Sequence, residues 1–249
     1  MSEISAASII HRTDEKEYIT GYWQKRSTGF ANLRKAELHS EKQLLWQQEI
    51  TRHLPQNRKL KILDIGCGAG FFGILLGQKH SVTGIDLTPE MIEAARALAA
   101  AERSNAKFMV MDAEALDFAD ASFDAIISRN VMWNLPHPEK AYREWLRVLK
   151  PGGLLLNYDA EYARAHHSQK LPAKYAHADI APELLDECHN IYHMLDISAY
   201  NRPQWDEEFL QNIGLCSVST DTTVGSRIYA AEDIFYIPVP MFCVKAVKL

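Results

Sequence analysis

Three aspartates have the clearest chemical potential in this sequence, because each stands where a predicted buried strand ends. Asp64 lies in the apolar run LKILDIG just before a glycine-rich loop at residues 66–70, Asp86 closes SVTGID, and Asp112 closes KFMVMD. The carboxyl ends of parallel strands meet at one edge of a sheet, where ligands bind. A carboxylate there can accept hydrogen bonds from ribose hydroxyls (Asp86) or from an adenine amino group (Asp112). Each aspartate alone is as well explained as a helix N-cap, but three in this order favour a nucleoside site.

The glycine-rich loop indicates which nucleoside is bound. Glycines permit a tight turn and a close approach of a ligand to the backbone, although a glycine pattern alone is a weak signal. Asp64 upstream of the loop would repel a diphosphate, whereas S-adenosylmethionine (SAM) carries ammonium and sulfonium charges that suit a carboxylate. A nicotinamide- or flavin-binding oxidoreductase needs a full GxGxxG without the leading acid, and GCGAGFFG at residues 66–73 argues against it.

Short apolar strands alternate with helices from about residue 60 onward, and two further strands are predicted near the C-terminus. This alternation is typical of an α/β fold with a mostly parallel sheet and helices on both faces. We predict that residues 55–249 form this domain and that the stretch 160–203 is a helical cap inserted on the substrate side. A helical pattern from Glu15 to Leu54, interrupted near Gly29, predicts an N-terminal helical cover over residues 1–54.

The composition excludes several classes of protein. A chain of 249 residues with 47% hydrophobic residues has the composition of a globular protein with a sizeable core. A net charge of −5 gives no general attraction to nucleic acid or to anionic lipid. No stretch reaches the roughly 20 apolar residues that span a bilayer, and the four cysteines are too far apart for a zinc finger. We therefore expect a cytoplasmic protein with free thiols and no nucleic-acid or membrane partner.

Four motifs carry a resemblance to a known family. They are ILDIGCGAG at 62–70, VTGIDLTPEMIEAA at 82–95, MDAEALDFADASFDAIIS at 111–128 and RVLKPGGLLL at 147–156. The chain resembles the class I SAM-dependent methyltransferases, particularly the subgroup that acts on small molecules, over roughly residues 60–158. The resemblance implies a Rossmann-like fold with a seven-stranded sheet and a reversed last strand. It also implies transfer of a methyl group from SAM to a small-molecule acceptor.

The resemblance further implies which residues hold SAM. The expected contacts at the loop and the strand ends are Asp64, Gly66, Cys67, Gly68, Asp86, Leu87, Met91, Asp112, Ala113, Arg129 and Asn130. Gly66 to Gly68 would lie against the methionine part, and Arg129 with Asn130 would lie near the sulfonium. Cys67 is interpreted as a packing residue rather than a nucleophile.

An aromatic N-terminal segment is predicted to cover the pocket. Arg26 could pair with the SAM carboxylate, and Tyr22 or Trp23 could close a lid. The alternative is an ordinary amphipathic helix packed on the core.

No catalytic triad is expected, because methyl transfer from a sulfonium is an in-line displacement that needs alignment and sometimes removal of a proton. Tyr22, His137 and Tyr158 are the candidate catalytic residues. His137 could be a general base, but its interpretation as the cap of a helix starting at Pro138 is favoured.

The stretch 160–203 is rich in histidine. His189 and His193 are four residues apart, so they share one helical face, with Cys188 or Glu187 beside them. A metal site there is conceivable, but surface histidines are the commoner outcome, and we predict no metal; His166, His167 and His177 complete the group. Two other functions stay open from the sequence: a SAM-binding protein without transferase activity, and a methyltransferase acting on a macromolecule.

Overall fold

The computed structural model describes residues 12–165, 174–176, 178 and 180–249, and seven strands within these ranges form one sheet. The strands are β1 (Lys61–Ile65), β2 (Ser81–Asp86), β3 (Lys107–Val110), β4 (Phe123–Arg129), β5 (Leu149–Ala160), β6 (Leu215–Asp221) and β7 (Met241–Lys248). Their order is β3-β2-β1-β4-β5-β7-β6; the pairs from β3 to β5 are parallel, and β7 runs antiparallel to both β5 and β6. The predicted seven-stranded, mostly parallel fold with a reversed last strand is confirmed.

Helices of the described residues cover both faces of the sheet. They are α1 (Arg12–Leu38), α2 (Glu41–Thr51), α3 (Phe71–Leu76), α4 (Pro89–Ala101), α5 (Pro138–Val148), α6 (Tyr162–Ala165), α7 (Pro182–Met194), α8 (Gln204–Asn212) and α9 (Val224–Ile228). Neighbouring strand residues serve opposite faces, so Ile62 packs with Trp46 on one side and Leu63 packs with Trp145 on the other. Burial on both faces explains why the central strands read as unbroken apolar runs rather than as alternating ones.

The N-terminal helix corrects one expectation from the sequence. Gly29 does not interrupt it, and α1 runs unbroken from Arg12 to Leu38. Gly29 is exposed and has open space around it, so the helix bears only the roughly 1 kcal/mol that glycine costs in a helix interior. The chain turns instead at His39 and Ser40, where the Ser40 hydroxyl accepts a hydrogen bond from the Lys42 amide at 3.2 Å and caps α2.

A buried polar network ties the segment after β5 to the sheet. The Arg202 guanidinium contacts Asp159 at 2.8 Å and Asp206 at 2.8 Å. Asp159 also accepts a hydrogen bond from the Trp133 amide at 3.1 Å. The network therefore fixes the position of Trp133, just beyond β4, relative to the end of β5. His166, His167 and His177 lie outside the described residues.

No helix among the described residues has the length and apolar character needed to cross a membrane.

Candidate functional site

A cavity of about 250 Å³ opens at the carboxyl edge of the sheet. Its walls are the loop after β1, the ends of β2, β3 and β4 with the turns that follow them, Tyr162 of α6, one side of α1, part of α7 and residues 237–239. Most of the predicted SAM-binding residues line it, namely Trp23, Arg26, Gly66, Gly68, Asp86, Leu87, Met91, Asp112, Ala113, Arg129 and Asn130. Parallel strands thus bring residues from widely separated motifs to one cleft, as the strand pattern implies.

The loop after β1 can be built only by glycine at its turning points. Gly66 has φ +61° and Gly68 has φ +50°, both in the left-handed region. A Cβ on Gly68 would come within 2.9 Å of the Phe30 ring, and a Cβ on Gly66 would collide with Val131. The loop therefore approaches both the N-terminal helix and the end of β4 more closely than any side chain would permit.

Asp86 both shapes this loop and faces the cavity. One carboxylate oxygen accepts a hydrogen bond from the Gly68 amide at 3.0 Å, and the other accepts one from the Thr88 amide at 2.9 Å. Burial raises the pKa of Asp86 above its ordinary value, although these hydrogen bonds oppose the shift. Each oxygen has a further lone pair with which to accept a ligand hydroxyl.

Asp112 has a cationic partner that the sequence did not suggest. Lys16, in the second turn of α1, places its Nζ 2.6 Å from Asp112 and 2.6 Å from Glu114. Burial opposes the charge of Lys16, but these two carboxylates raise its pKa. We call the glycine loop with Asp86 and Asp112 the acidic end of the cavity.

Asp64 and Cys67 differ from expectation, because neither lines the cavity. Asp64 is 2% exposed and accepts a hydrogen bond from the Gly73 amide of α3 at 3.0 Å. Burial raises the pKa of Asp64 to about 7. The Cys67 sulfur packs against Gly84 of β2, and burial raises the pKa of its thiol well above the ordinary value. Such a thiol is a poor nucleophile, which agrees with the interpretation of Cys67 as a packing residue.

Asn130 presents an unpartnered acceptor at the end of β4. Its backbone is fixed on both sides, since its amide donates to the Tyr158 carbonyl at 2.8 Å and its carbonyl accepts from the Trp133 indole at 2.9 Å. Its side-chain Oδ1 is buried and has no hydrogen-bond partner among the described residues. A buried acceptor of this kind is costly unless a ligand or water satisfies it.

One side of α1 forms the wall opposite the sheet. The lining residues recur at helical spacing, and they are Lys16, Ile19, Thr20, Tyr22, Trp23, Arg26, Phe30 and Arg34. Arg26 donates a hydrogen bond to the Tyr22 hydroxyl at 2.8 Å. Burial raises the pKa of Tyr22 above its ordinary value, which favours the protonated hydroxyl.

Aromatic rings surround the middle of the cavity. The Trp133 ring lies 6.4 Å from Trp23, 5.5 Å from Tyr162 and 5.1 Å from Tyr192 between ring centroids. These rings come from four separate segments of the chain, so no local sequence motif predicts that they form a cluster. A wall of this kind excludes water and suits a flat or apolar ligand.

A buried ion cluster lies beside these rings. Glu37 of α1 accepts from Arg129 at 3.1 and 3.2 Å and from Arg34 at 2.5 Å. Burial opposes ionisation of Glu37, but Arg129 and Arg34 hold its pKa below the ordinary value. Arg34 and Arg129 both line the cavity. We call Arg34, Arg129, Glu37 and Tyr162 the arginine end; sequence reasoning missed Arg34 and Glu37, although Arg34 continues the four-residue spacing of Tyr22, Arg26 and Phe30.

Two candidate catalytic residues lie outside the cavity lining. Tyr158 is fully buried on the other face of the sheet, with ring centroids 5.1 Å from Trp46 and 6.1 Å from Phe72. The structure therefore excludes it from contact with a ligand. His137 begins α5, and its amide donates to Glu114 at 2.7 Å. It stands at the N-cap position, but its side chain makes no capping hydrogen bond.

The histidines of α7 are not assembled as a metal site. Within the described parts of the chain, no group of three or more His, Cys, Asp and Glu residues could hold a metal ion. His189 lines the cavity beside the Tyr192 ring, with 6.3 Å between centroids, and Glu187 pairs with Lys25 at 2.8 Å.

Fold and site together define a class of protein. The strand order with a reversed last strand, the left-handed glycine loop after β1 and the carboxylate at the end of β2 are those of a Rossmann-like SAM-binding domain. Residues 63–157 match the family described as a methyltransferase domain. This part of the chain is similar to the domains of class I SAM-dependent methyltransferases, whose cofactor is SAM.

Proteins and structures that are similar to this chain are named as methyltransferases. The 2-methyl-6-phytyl-1,4-hydroquinone methyltransferase of Synechocystis sp. is 34% identical over 128 residues, which are 51% of this chain and 39% of that protein. The demethylmenaquinone methyltransferase of Staphylococcus aureus is 29% identical over 67% of this chain and 71% of that protein. A SAM-dependent methyltransferase structure from Aquifex aeolicus shares the fold, with a TM-score of 0.54, 19% identity, and coverage of 84% of this chain and 93% of that one. The match thus spans well under half of the first relative's length.

Proposed function

We propose that this protein transfers a methyl group from SAM to a small-molecule acceptor bound beneath α1 and α7. One observation carries the proposal: Asp86, Asp112 and the unpartnered Asn130 Oδ1 lie at the ends of different strands and line one cavity. All three present acceptor oxygens, and SAM offers ribose hydroxyls, an adenine amino group and an ammonium group as donors.

The roles of the residues follow from this match. Asp86 would accept hydrogen bonds from the ribose hydroxyls, and Asp112, already paired with Lys16, would take the adenine amino group beside Ala113. Asn130 Oδ1 would accept from the ammonium, while the open turns at Gly66 and Gly68 leave room for the methionine part. Leu87 and Met91 would pack on the adenine, and α1 would act as a lid that holds Trp23 and Arg26 over the cofactor.

Methyl transfer from SAM requires little from the protein beyond alignment of the two reactants. Bound SAM supplies an electrophilic methyl group, and the chain's own residues must align the acceptor and exclude water. Trp23, Trp133, Tyr162 and Tyr192 form the walls that do so. The hydroquinone and menaquinone in the relatives' names are ring compounds, and these aromatic walls favour a small ring-containing or apolar acceptor here as well.

Binding of the cofactor tests the assignment of the acidic end. We expect Asp86→Ala to weaken SAM binding at least about tenfold, or about 1.4 kcal/mol, because charge-assisted hydrogen bonds to the ribose are lost. Glu93→Ala is the control, since Glu93 is an exposed acid of the neighbouring helix α4 and lies outside the cavity lining. Calorimetry measures both variants; SAM affinity unchanged in Asp86→Ala would contradict the proposal.

A second measurement tests the acceptor class. The protein is incubated with SAM labelled on its methyl group and with fractions of a cell extract separated by size. A labelled compound other than SAM is expected in the small-molecule fraction, together with unlabelled S-adenosylhomocysteine (SAH). Transfer to the macromolecular fraction alone would refute a small-molecule acceptor, and SAM binding without any transfer would support a binding protein without transferase activity.

A further inference from the structure

The arginine end contains more positive charge than its own contacts require. Arg129 alone satisfies Glu37, because its two terminal nitrogens lie 3.1 and 3.2 Å from the two carboxylate oxygens. This is the bidentate arrangement in which guanidinium binds carboxylate most strongly. Arg34 adds a second guanidinium to a carboxylate that is already matched. The cluster therefore has two buried cations and one buried anion.

Burial makes this surplus costly. Arg34 is 5% exposed, and Glu37 is fully buried. Burial lowers the pKa of Arg34, as does the neighbouring Arg129, and Glu37 only partly offsets them. A charge removed from water is tolerated when it has matched partners, and a cluster that served only to anchor α1 would need one arginine rather than two.

Donors without acceptors lie at the same place. Arg34 Nε is buried and has no hydrogen-bond partner among the described residues, and the Tyr162 hydroxyl is in the same condition. Both residues line the cavity. An oxyanion placed between them would satisfy two orphaned donors and balance the surplus charge.

The two guanidinium groups are held rigidly by aromatic rings. Arg129 lies 4.7 Å from the ring centre of Phe71 and 4.8 Å from that of Phe72, while Arg34 lies 4.7 Å from that of Phe30. These cation–π contacts stabilise both guanidinium groups in their buried positions. The positively charged groups are thus already in place to bind an anion, which lowers the cost of binding it.

We infer that Arg34, backed by Arg129 and Tyr162, forms a binding site for a carboxylate or a similar oxyanion in this cavity. The inference rests on the proposed function, since the ligand is one of the two reactants. The anion is either the carboxylate of the methionine part of SAM or an anionic group of the acceptor. In the first case Arg34 takes the role that the sequence suggested for Arg26.

Paired ligands distinguish the two sources. SAH carries the amino and carboxylate groups, whereas methylthioadenosine has the same nucleoside thioether without them. If the cofactor supplies the anion, Arg34→Gln weakens SAH binding at least about tenfold and leaves methylthioadenosine binding unchanged. Lys35→Gln is the matched control, because Lys35 is the next residue of α1, carries the same charge and is exposed.

If the acceptor supplies the anion, SAH binding survives in Arg34→Gln. Benzoate, an aromatic carboxylate, then serves as the probe. It should bind saturably to the SAH complex of the wild-type protein and of Lys35→Gln, but at least about tenfold more weakly to that of Arg34→Gln. The inference is overturned if Arg34→Gln changes neither the preference for SAH over methylthioadenosine nor the binding of benzoate.

Two checks keep the test decisive. Arg34→Lys retains the charge but loses the planar fork, so it should show a smaller loss and replaces Arg34→Gln if that variant does not fold. If the wild-type protein binds neither SAH nor methylthioadenosine, the proposed function fails. If both bind and Arg34 has no effect on either probe, only the inference fails.

Discussion

Asp86 is half-buried and Glu37 is fully buried at the same cavity, yet the pKa of Asp86 is raised and the pKa of Glu37 is lowered. Asp86 accepts hydrogen bonds from the backbone amides of Gly68 and Thr88, which oppose the effect of burial without overcoming it. Glu37 lies between two guanidinium groups, which do overcome it. Glu37 is the more deeply buried of the two, and burial alone would raise the pKa of both carboxyls, so the partners decide the direction.

The contrast describes two ligand preferences. Asp86 is a carboxylate without a full positive charge bonded to it, which favours a ligand that brings donors or cationic character. The arginine end has an unbalanced positive charge, which favours an anion. SAM has both cationic groups and a carboxylate, so it could occupy both ends. Alternatively, SAM supplies the cationic groups and an anionic acceptor supplies the negative charge. The cavity is thus polarised along the order of the strands, with Asp112 just after β3, Asp86 at the end of β2 and Arg129 at the end of β4.

The largest effect is expected where charge compensation is removed. Glu37→Gln keeps the shape of the side chain but leaves two buried guanidinium groups without an anion. We expect a loss of about 3–5 kcal/mol in the free energy of unfolding, measured by urea denaturation. The exposed Glu93→Gln on α4 should stay within about 0.5 kcal/mol of the wild-type protein. A comparably small loss in Glu37→Gln would show that the arginine end does not depend on its carboxylate.

The next effect concerns Asp64, a buried carboxyl whose hydrogen-bond partner is the Gly73 amide rather than a cation. Asp64 titrates at its ordinary value of 3.8 in the unfolded chain and at about 7 in the folded protein. Between about pH 4 and pH 7 the folded state keeps a proton that the unfolded chain has released, so stability falls as the pH rises. The contribution approaches about 1.4 kcal/mol per pH unit.

Asp64→Asn removes this titration, because the amide cannot ionise. The difference in unfolding free energy between the variant and the wild-type protein, measured by urea denaturation from pH 4 to pH 8, should therefore change in favour of the variant as the pH rises. Comparing the two proteins at each pH cancels the titration of Asp86 and Asp159. If the difference does not change with pH across this range, the pKa of Asp64 is not raised, and the contrast between carboxyls bonded only to amides and the guanidinium-bonded Glu37 fails.

The smallest effect concerns the loop that Asp86 holds. Gly68→Ala forces a side chain into a left-handed turn, at a cost of about 1–2 kcal/mol, and also brings Cβ within 2.9 Å of Phe30. Gly152→Ala is the control, because Gly152 has φ +73° but open space around it. Both should lose stability in thermal unfolding, with only Gly68→Ala also weakening SAM binding. Equal SAM affinity in the two variants would mean that the contact between Phe30 and the loop has no part in the site.

The two ends also differ in how far the sequence could predict them. The acidic end comes from short motifs, each joining one strand to the next turn, so its residues could be named from residues 62–113. Asp64 was misplaced because the motif shows its position in the strand but not that its side chain turns toward Gly73. Arg34, Tyr162 and Tyr192 meet only through tertiary packing of α1, α6 and α7, and no local pattern specifies that.

The helix α1 was predicted to break at Gly29 for the same reason. A glycine lowers helix propensity locally, but the packing of Ile19 and Tyr22 in a core cluster with residues of distant segments outweighs that preference. Tyr158 was misjudged because its position at the end of β5 does not reveal which face of the sheet its side chain serves.

The unbroken course of α1 has a consequence for how this helix moves. Lys16 contacts Asp112 at one end of the cavity and Glu37 contacts Arg129 of β4 at the other, and 21 residues of helix separate the two anchoring residues by about 32 Å. Because α1 is continuous between these two anchors, it does not bend in the middle, and displacement of this wall of the cavity requires the loss of one ion pair or the other. The ease with which Lys16 leaves Asp112, or Glu37 leaves Arg129, therefore determines how readily this wall moves away from the sheet.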